Sequence, residues 1–249
     1  MAGMKPALSF RRDLLMLVGG VPVAYALGLW AGSMGLGAAR WLLPLLLAAP
    51  AIHGLWRYLG EGRRAEAVRL MLAWAAALAV VGPIAMAVAP GAAEAAVFRG
   101  AAYSDEMMAW LATGEGAEGD LRLFLPIHLQ RLLIFVPLSL VSGGALGLLM
   151  GAVMLNFMDF FVASYAVAAS GVPSALAWFP WALCRVAAFV ILGVVCAEPL
   201  VRRLGKTAAP LEPGRRQLLY VAGGLLIADV ALKATLAPMW GRFLAGFLN

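Results

Sequence analysis

The stretch Leu132–Ser170, LLIFVPLSLVSGGALGLLMGAVMLNFMDFFVASYAVAAS, carries a single charged residue, Asp159, and no conventional loop. A bilayer core about 30 Å thick takes about 20 residues of helix, so this stretch is long enough to cross twice. The chain must therefore reverse inside an apolar run. A very tight turn at Gly151 divides it into Leu132–Gly151 and Ala152–Ser170; a break at Ser142, Gly143 and Gly144 is the competing division.

Working outward by the same rule of length gives Leu14–Gly32, Gly37–Trp56, Leu70–Val88, Trp181–Val201 and Gln217–Leu236. The totals agree: 63% of the 249 residues are hydrophobic and 13% charged, with a mean hydropathy of +0.90. Soluble domains do not have this composition. The expected fold is all-α, a polytopic integral membrane bundle of seven helices, with six as the alternative if Gly37–Trp56 is only half inserted. No segment outside the apolar runs is long enough for a core of its own, so residues 1–249 read as one membrane domain. The first run follows Arg11 and Arg12. It is too long for a signal-peptide core and is read as a retained helix.

Charge sets the expected orientation. Lys5, Arg11 and Arg12 lie before the first span; Arg57, Arg63, Arg64 and Arg69 after the second; Arg202, Arg203, Lys206, Arg215 and Arg216 after the sixth. Cytoplasmic segments are enriched in such residues. Residues 89–122 instead hold Glu94, Asp105, Glu106, Glu115, Glu118 and Asp120 against Arg99 and Arg122, and are expected to be extracytoplasmic. Seven spans with a cytoplasmic N-terminus satisfy every placement, in a membrane of the bacterial inner type. The net charge of +6 is then orientation signal and attraction to anionic headgroups, with no basic domain for nucleic acid.

Within the extracytoplasmic segment, AYSDEMMAWLATG (Ala102–Gly114) reads as a short amphipathic helix, with Ser104 as N-cap and Gly114 as its stop. Met107, Met108, Trp110 and Leu111 give it an apolar side that lies on the membrane or caps the bundle. Pro126 then starts another helix, LPIHLQRLLIF, placing His128 and Arg131 at interface depth as a candidate outer polar cluster near Glu118 and Asp120. Gly147 and Gly151 form a GxxxG read as packing within the monomer. The cytoplasmic segment Arg57–Leu72 reads as a charged helical elbow, resting on headgroups or docking a soluble partner.

Ionisable groups inside the spans are costly unless paired, hydrated or used. Asn156 and Asp159, at i and i+3, share a face. With the turn at Gly151 they fall in the first turns of a helix, as a terminal packing pair or a polar site. Asp229 and Lys233 are spaced for an ion pair on one face. Arg185, near the outer end of its helix, is expected to snorkel rather than pair with Asp159. These five residues form the candidate intramembrane polar site.

His53 and His128 fall near opposite membrane faces, and Cys184 and Cys196 lie about 18 Å apart on one helix, so neither pair suits a metal or a disulfide. HExxH, GxSxG and P-loop motifs are absent. No cofactor is expected. The expected function is a permease or transport-type subunit working with membrane lipids and partner proteins. A structural subunit of a larger membrane complex is the alternative, and a lipid-modifying enzyme the third reading.

Overall fold

The computed structural model describes residues 6–169, 174–205 and 214–248. Nine α-helices occur among them: α1 Pro6–Ser33, α2 Ala39–Gly60, α3 Arg64–Val88, α4 Pro90–Ala96, α5 Gly100–Thr113, α6 Leu121–Val141, α7 Ala145–Ala168, α8 Pro180–Leu204 and α9 Arg215–Ala245. Strands are absent among the described residues. All except α4 and α5 are long and apolar enough to cross a membrane, giving seven candidate spans. The chain is a multi-pass membrane helix bundle, as its composition requires.

The reversal in the opening stretch falls at Ser142–Gly144, not at Gly151. Gly143 and Gly144 have φ of 59° and 86°, a left-handed pair that only glycine adopts cheaply. Ser142 Oγ donates to the Leu138 carbonyl at 2.6 Å and accepts from the Leu146 amide at 3.0 Å. Trp56 Nε1 adds a bond to the Gly143 carbonyl at 2.8 Å. Gly151 has no such conformation and lies inside α7. The LPIHL segment and the fourth span are consequently one helix, α6, and Asn156 and Asp159 sit in the middle of α7 rather than in its first turns.

The main core joins α1, α2, α3, α7 and α8 through residues such as Tyr25, Leu43, Trp74, Leu155 and Val194. A second core lies at the end of the bundle covered by α4 and α5, the capped end. Here Trp110 of α5 packs with Phe161 of α7, Phe179 and Trp181 beside the start of α8, and Leu244 of α9. Helix α5 therefore caps the bundle with its apolar side. It ends at Gly114 (φ 77°) as its sequence predicts, but starts at Gly100. Ser104 is buried inside α5 instead of capping it.

At the opposite, basic end, α2 and α3 are joined by residues 61–63, and the elbow is held by its own charges. Arg63 pairs with Glu66 and Glu61, and Arg57 with Glu61 and Asp13. The Arg63 guanidinium is held above its usual range, chiefly by its hydrogen bond to Glu66. One residue further, Arg64 is buried and forks onto both oxygens of Glu198 at 2.8 Å each, clamping the start of α3 to α8.

Candidate functional site

Helix α9 carries Asp229 and Lys233 one turn apart, yet the two do not bond to each other. Asp229 takes a bidentate fork from Arg185 of α8, Nε to Oδ2 and Nη2 to Oδ1, each at 2.9 Å. Lys233 donates from Nζ to Glu118 Oε2 at 2.6 Å. The expected i,i+4 pair is replaced by two pairs between different elements. A planar guanidinium satisfies both carboxylate oxygens at once, which an ammonium does not. Arg185 is thus paired inside the bundle rather than snorkelling.

Glu118, in the connection between α5 and α6, ties the two pairs to the capped end. Its Oε1 accepts from Trp181 Nε1 at 2.7 Å. Burial alone would raise its carboxyl, but the Lys233 ammonium, the Arg185 guanidinium and the two hydrogen bonds outweigh that and hold it below the ordinary carboxylate range. Phe124 of α6 lies beneath both cations, 3.7 Å from Lys233 Nζ and 4.7 Å from Arg185 Cζ. Its ring face adds attraction where water is scarce. His128 stacks on Phe124 with centroids 5.1 Å apart. Its Nδ1 stands 3.8 Å from Asp229 Oδ2, beyond hydrogen-bond reach.

Arg131 is the remaining cation of this group. It is half-buried on α6, lies near Glu118, Tyr103 and the exposed Glu106, and has no hydrogen bond or salt bridge among the described residues. Against the buried carboxylates Glu118 and Asp229 stand Arg131, Arg185 and Lys233, one positive charge in excess inside the bundle, with Glu106 near Arg131 exposed at its edge. Tyr103 offers no compensating anion: burial first, then the Glu118 charge, push its phenol well above its normal value.

Arg131, Arg185, Glu118 and Tyr103 stand at the head of a cleft of about 110 Å³ between α6, α7 and α8. Helices α7 and α8 barely touch, and α6 lies over the gap, packed on both. Near the Ser142–Gly144 turn α6 and α7 are close, since a Cβ on Gly147 would overlap Ser139 Oγ. One turn on, a Cβ on Gly151 would meet only the Trp74 ring, at 4.0 Å. The two helices diverge from there towards the capped end. Phe135, Met154, Phe189 and Gly193 continue an apolar lining towards the basic end.

The remaining candidates form a separate site. Tyr25 Oη of α1 lies 2.8 Å from Asn156 Oδ1 and 2.9 Å from Asp159 Oδ2. Asp159 is fully buried, with Oδ1 unpartnered among the described residues, and neither it nor Asn156 lines the cleft. The five intramembrane candidates thus divide into a Tyr25–Asn156–Asp159 triad and a cluster around Arg185, Asp229 and Lys233. The cluster takes in His128 and Arg131, which the sequence places in an outer group of their own. Sequence reasoning missed Tyr25, Phe124, Trp181 and the Arg64–Glu198 clamp. No group of three or more metal-ligating residues occurs among the described residues.

No family model, no curated protein and no solved structure matches the chain.

Proposed function

We propose that the chain is a transport-type membrane subunit whose cargo is received at the charged head of the α6–α7–α8 cleft. One observation carries this reading: ionised groups sit within the bundle beside an open cleft, and one of them, Arg131, has no bonded partner among the described residues. Groups retained only for packing would be expected to be matched among themselves, because an unmatched charge in an apolar surround is costly. The Tyr25–Asn156–Asp159 triad plays no part in the route. Its burial away from the cleft suits a role in holding α1 to α7.

In this reading the basic end faces the cytoplasm of a bacterial-type inner membrane, and partner proteins meet the elbow between α2 and α3. The positive surplus at the cleft head favours an anionic cargo.

The test does not depend on the identity of the cargo. In a chain with Cys184→Ser and Cys196→Ser, single cysteines are introduced by Phe157→Cys at the head of the cleft and Leu148→Cys at its deep end. Each is treated, in sealed proteoliposomes, with a membrane-impermeant thiol reagent. A passage requires both positions to reach water, one from each side of the membrane. Labelling at neither position refutes the reading and supports a purely structural subunit.

A further inference from the structure

The cleft is polar at one end only. At its head stand Arg131, Arg185, Glu118 and Tyr103, while Phe135, Gly151, Met154, Phe189 and Gly193 give the remainder an apolar wall. A small hydrophilic anion would leave that wall uncovered. An amphiphile would cover both parts.

Length narrows the choice. From Phe157 back to Gly144 on α7, both cleft residues, the rise is about 20 Å, and from Arg185 to Gly193 on α8 about 12 Å. One leaflet of a bilayer core about 30 Å thick is about 15 Å deep, the reach of an ordinary acyl chain. The cleft is therefore about one acyl chain long.

Charge narrows it further. The Asp229 carboxylate already takes both bonds of the Arg185 fork, and Lys233 is taken by Glu118. Arg131 remains with its donors free of protein acceptors among the described residues. Guanidinium forks match phosphate oxygens in geometry. A headgroup with one net negative charge cancels the surplus, whereas a zwitterionic headgroup brings its own cation against Arg185.

The floor of the cleft adds an independent observation. Gly147 is needed for packing, because a side chain there would overlap Ser139. At Gly151 nothing nearer than the Trp74 ring at 4.0 Å forbids a side chain. The bundle leaves space there that its own packing does not require.

We infer that the α6–α7–α8 cleft binds an anionic phospholipid drawn from the surrounding bilayer, its phosphate on Arg131 and one acyl chain lying along Gly151 towards Gly193. The inference rests on the proposed reading of the cluster as the cargo site and names the class of cargo.

The full chain, purified in a mild detergent, is titrated with phosphatidylglycerol and with phosphatidylcholine of identical acyl chains, and adducts are counted by native mass spectrometry. Wild type holds one phosphatidylglycerol with at least about tenfold preference, the scale of a lost charge-assisted bond. Arg131→Gln removes that preference and Arg131→Lys restores part of it. Gly151→Leu weakens both lipids by filling the floor, and Arg122→Gln, on the exposed start of α6, changes nothing. Melting temperatures of the variants confirm that they fold. Equal binding of the two lipids, or a preference that survives Arg131→Gln, overturns the inference, as does a fatty acid displacing phosphatidylglycerol at equal concentration. Selective binding together with an unlabelled Leu148→Cys would overturn passage but keep the lipid site; labelling at both positions without selective binding would do the reverse.

Discussion

Removing the Asp229 carboxylate distinguishes the two-pair arrangement from the ion pair that sequence spacing suggests. In Asp229→Asn the Arg185 guanidinium loses the charge it pairs with and one of its two 2.9 Å bonds, since an amide NH2 cannot accept, at a carboxylate with 0% side-chain exposure. Breaking one partner of a buried pair costs about 3–5 kcal/mol, because the remaining charge stays desolvated. The melting temperature in detergent, followed by tryptophan fluorescence, should fall by about 6–20 °C at the usual 2–4 °C per kcal/mol for a chain of this size. A double-mutant cycle assigns the loss. Asp229→Asn with Arg185→Gln should show a coupling of roughly 2–3 kcal/mol, near the upper range for residues sharing one network. Asp229→Asn with Lys233→Gln should couple by about 0.5 kcal/mol or less, the scale of an unbonded i,i+4 neighbour. A larger coupling to Lys233 than to Arg185 would refute the arrangement and restore the single-helix pair.

At the basic end, Glu198→Gln should destabilise by about 3–5 kcal/mol in the same melt, while the double variant Arg64→Met with Glu198→Met loses less than either single change, because no charge is stranded. Gly82→Ala places a Cβ against Asp159 Oδ2 and 2.6 Å from Tyr25 Oη, so it should cost about 1–3 kcal/mol by overpacking; a neutral result would show that the triad yields easily.

The spans were legible because hydrocarbon leaves few alternatives to a helix of about 20 residues. Gly114 was legible as a stop for the same reason that Gly143 and Gly144 are: each occupies a left-handed position. The division of Leu132–Ser170 was less so, since Gly151 and Gly143 carry the same letter and only the backbone separates them. Pairing was hardest. Lys233 and Glu118 are 115 residues apart and Arg64 and Glu198 are 134 apart, so no local pattern joins them. A signal existed even so. Glu198 is the one carboxylate in α8, and a carboxylate among apolar residues calls for a cation at its own depth. Asp229 and Lys233 misled because spacing shows which groups can meet and not which partner offers the better geometry.

Asp159 shows how a carboxyl can occupy the centre of such a bundle without a cation. Tyr25 lies within bonding distance of both Asn156 Oδ1 and Asp159 Oδ2, yet a phenol has one proton to give. If Asp159 is ionised, two acceptors compete for that proton and a bare charge remains buried, with no salt bridge among the described residues. If the carboxyl is neutral, its proton goes to the Tyr25 oxygen and the Tyr25 proton goes to Asn156 Oδ1. Every bond then has a donor and an acceptor, and α1 is joined to α7 by a directed chain. With the proton on Asp159 Oδ2 only Asp159 Oδ1 lacks a partner among the described residues, and buried networks cost less free energy the more of their groups are satisfied. Gly82 makes room for these bonds: α3 contributes a residue without a side chain where they pass. The triad therefore fixes how three helices meet, and the ionised groups that remain available to a ligand are those at the head of the cleft.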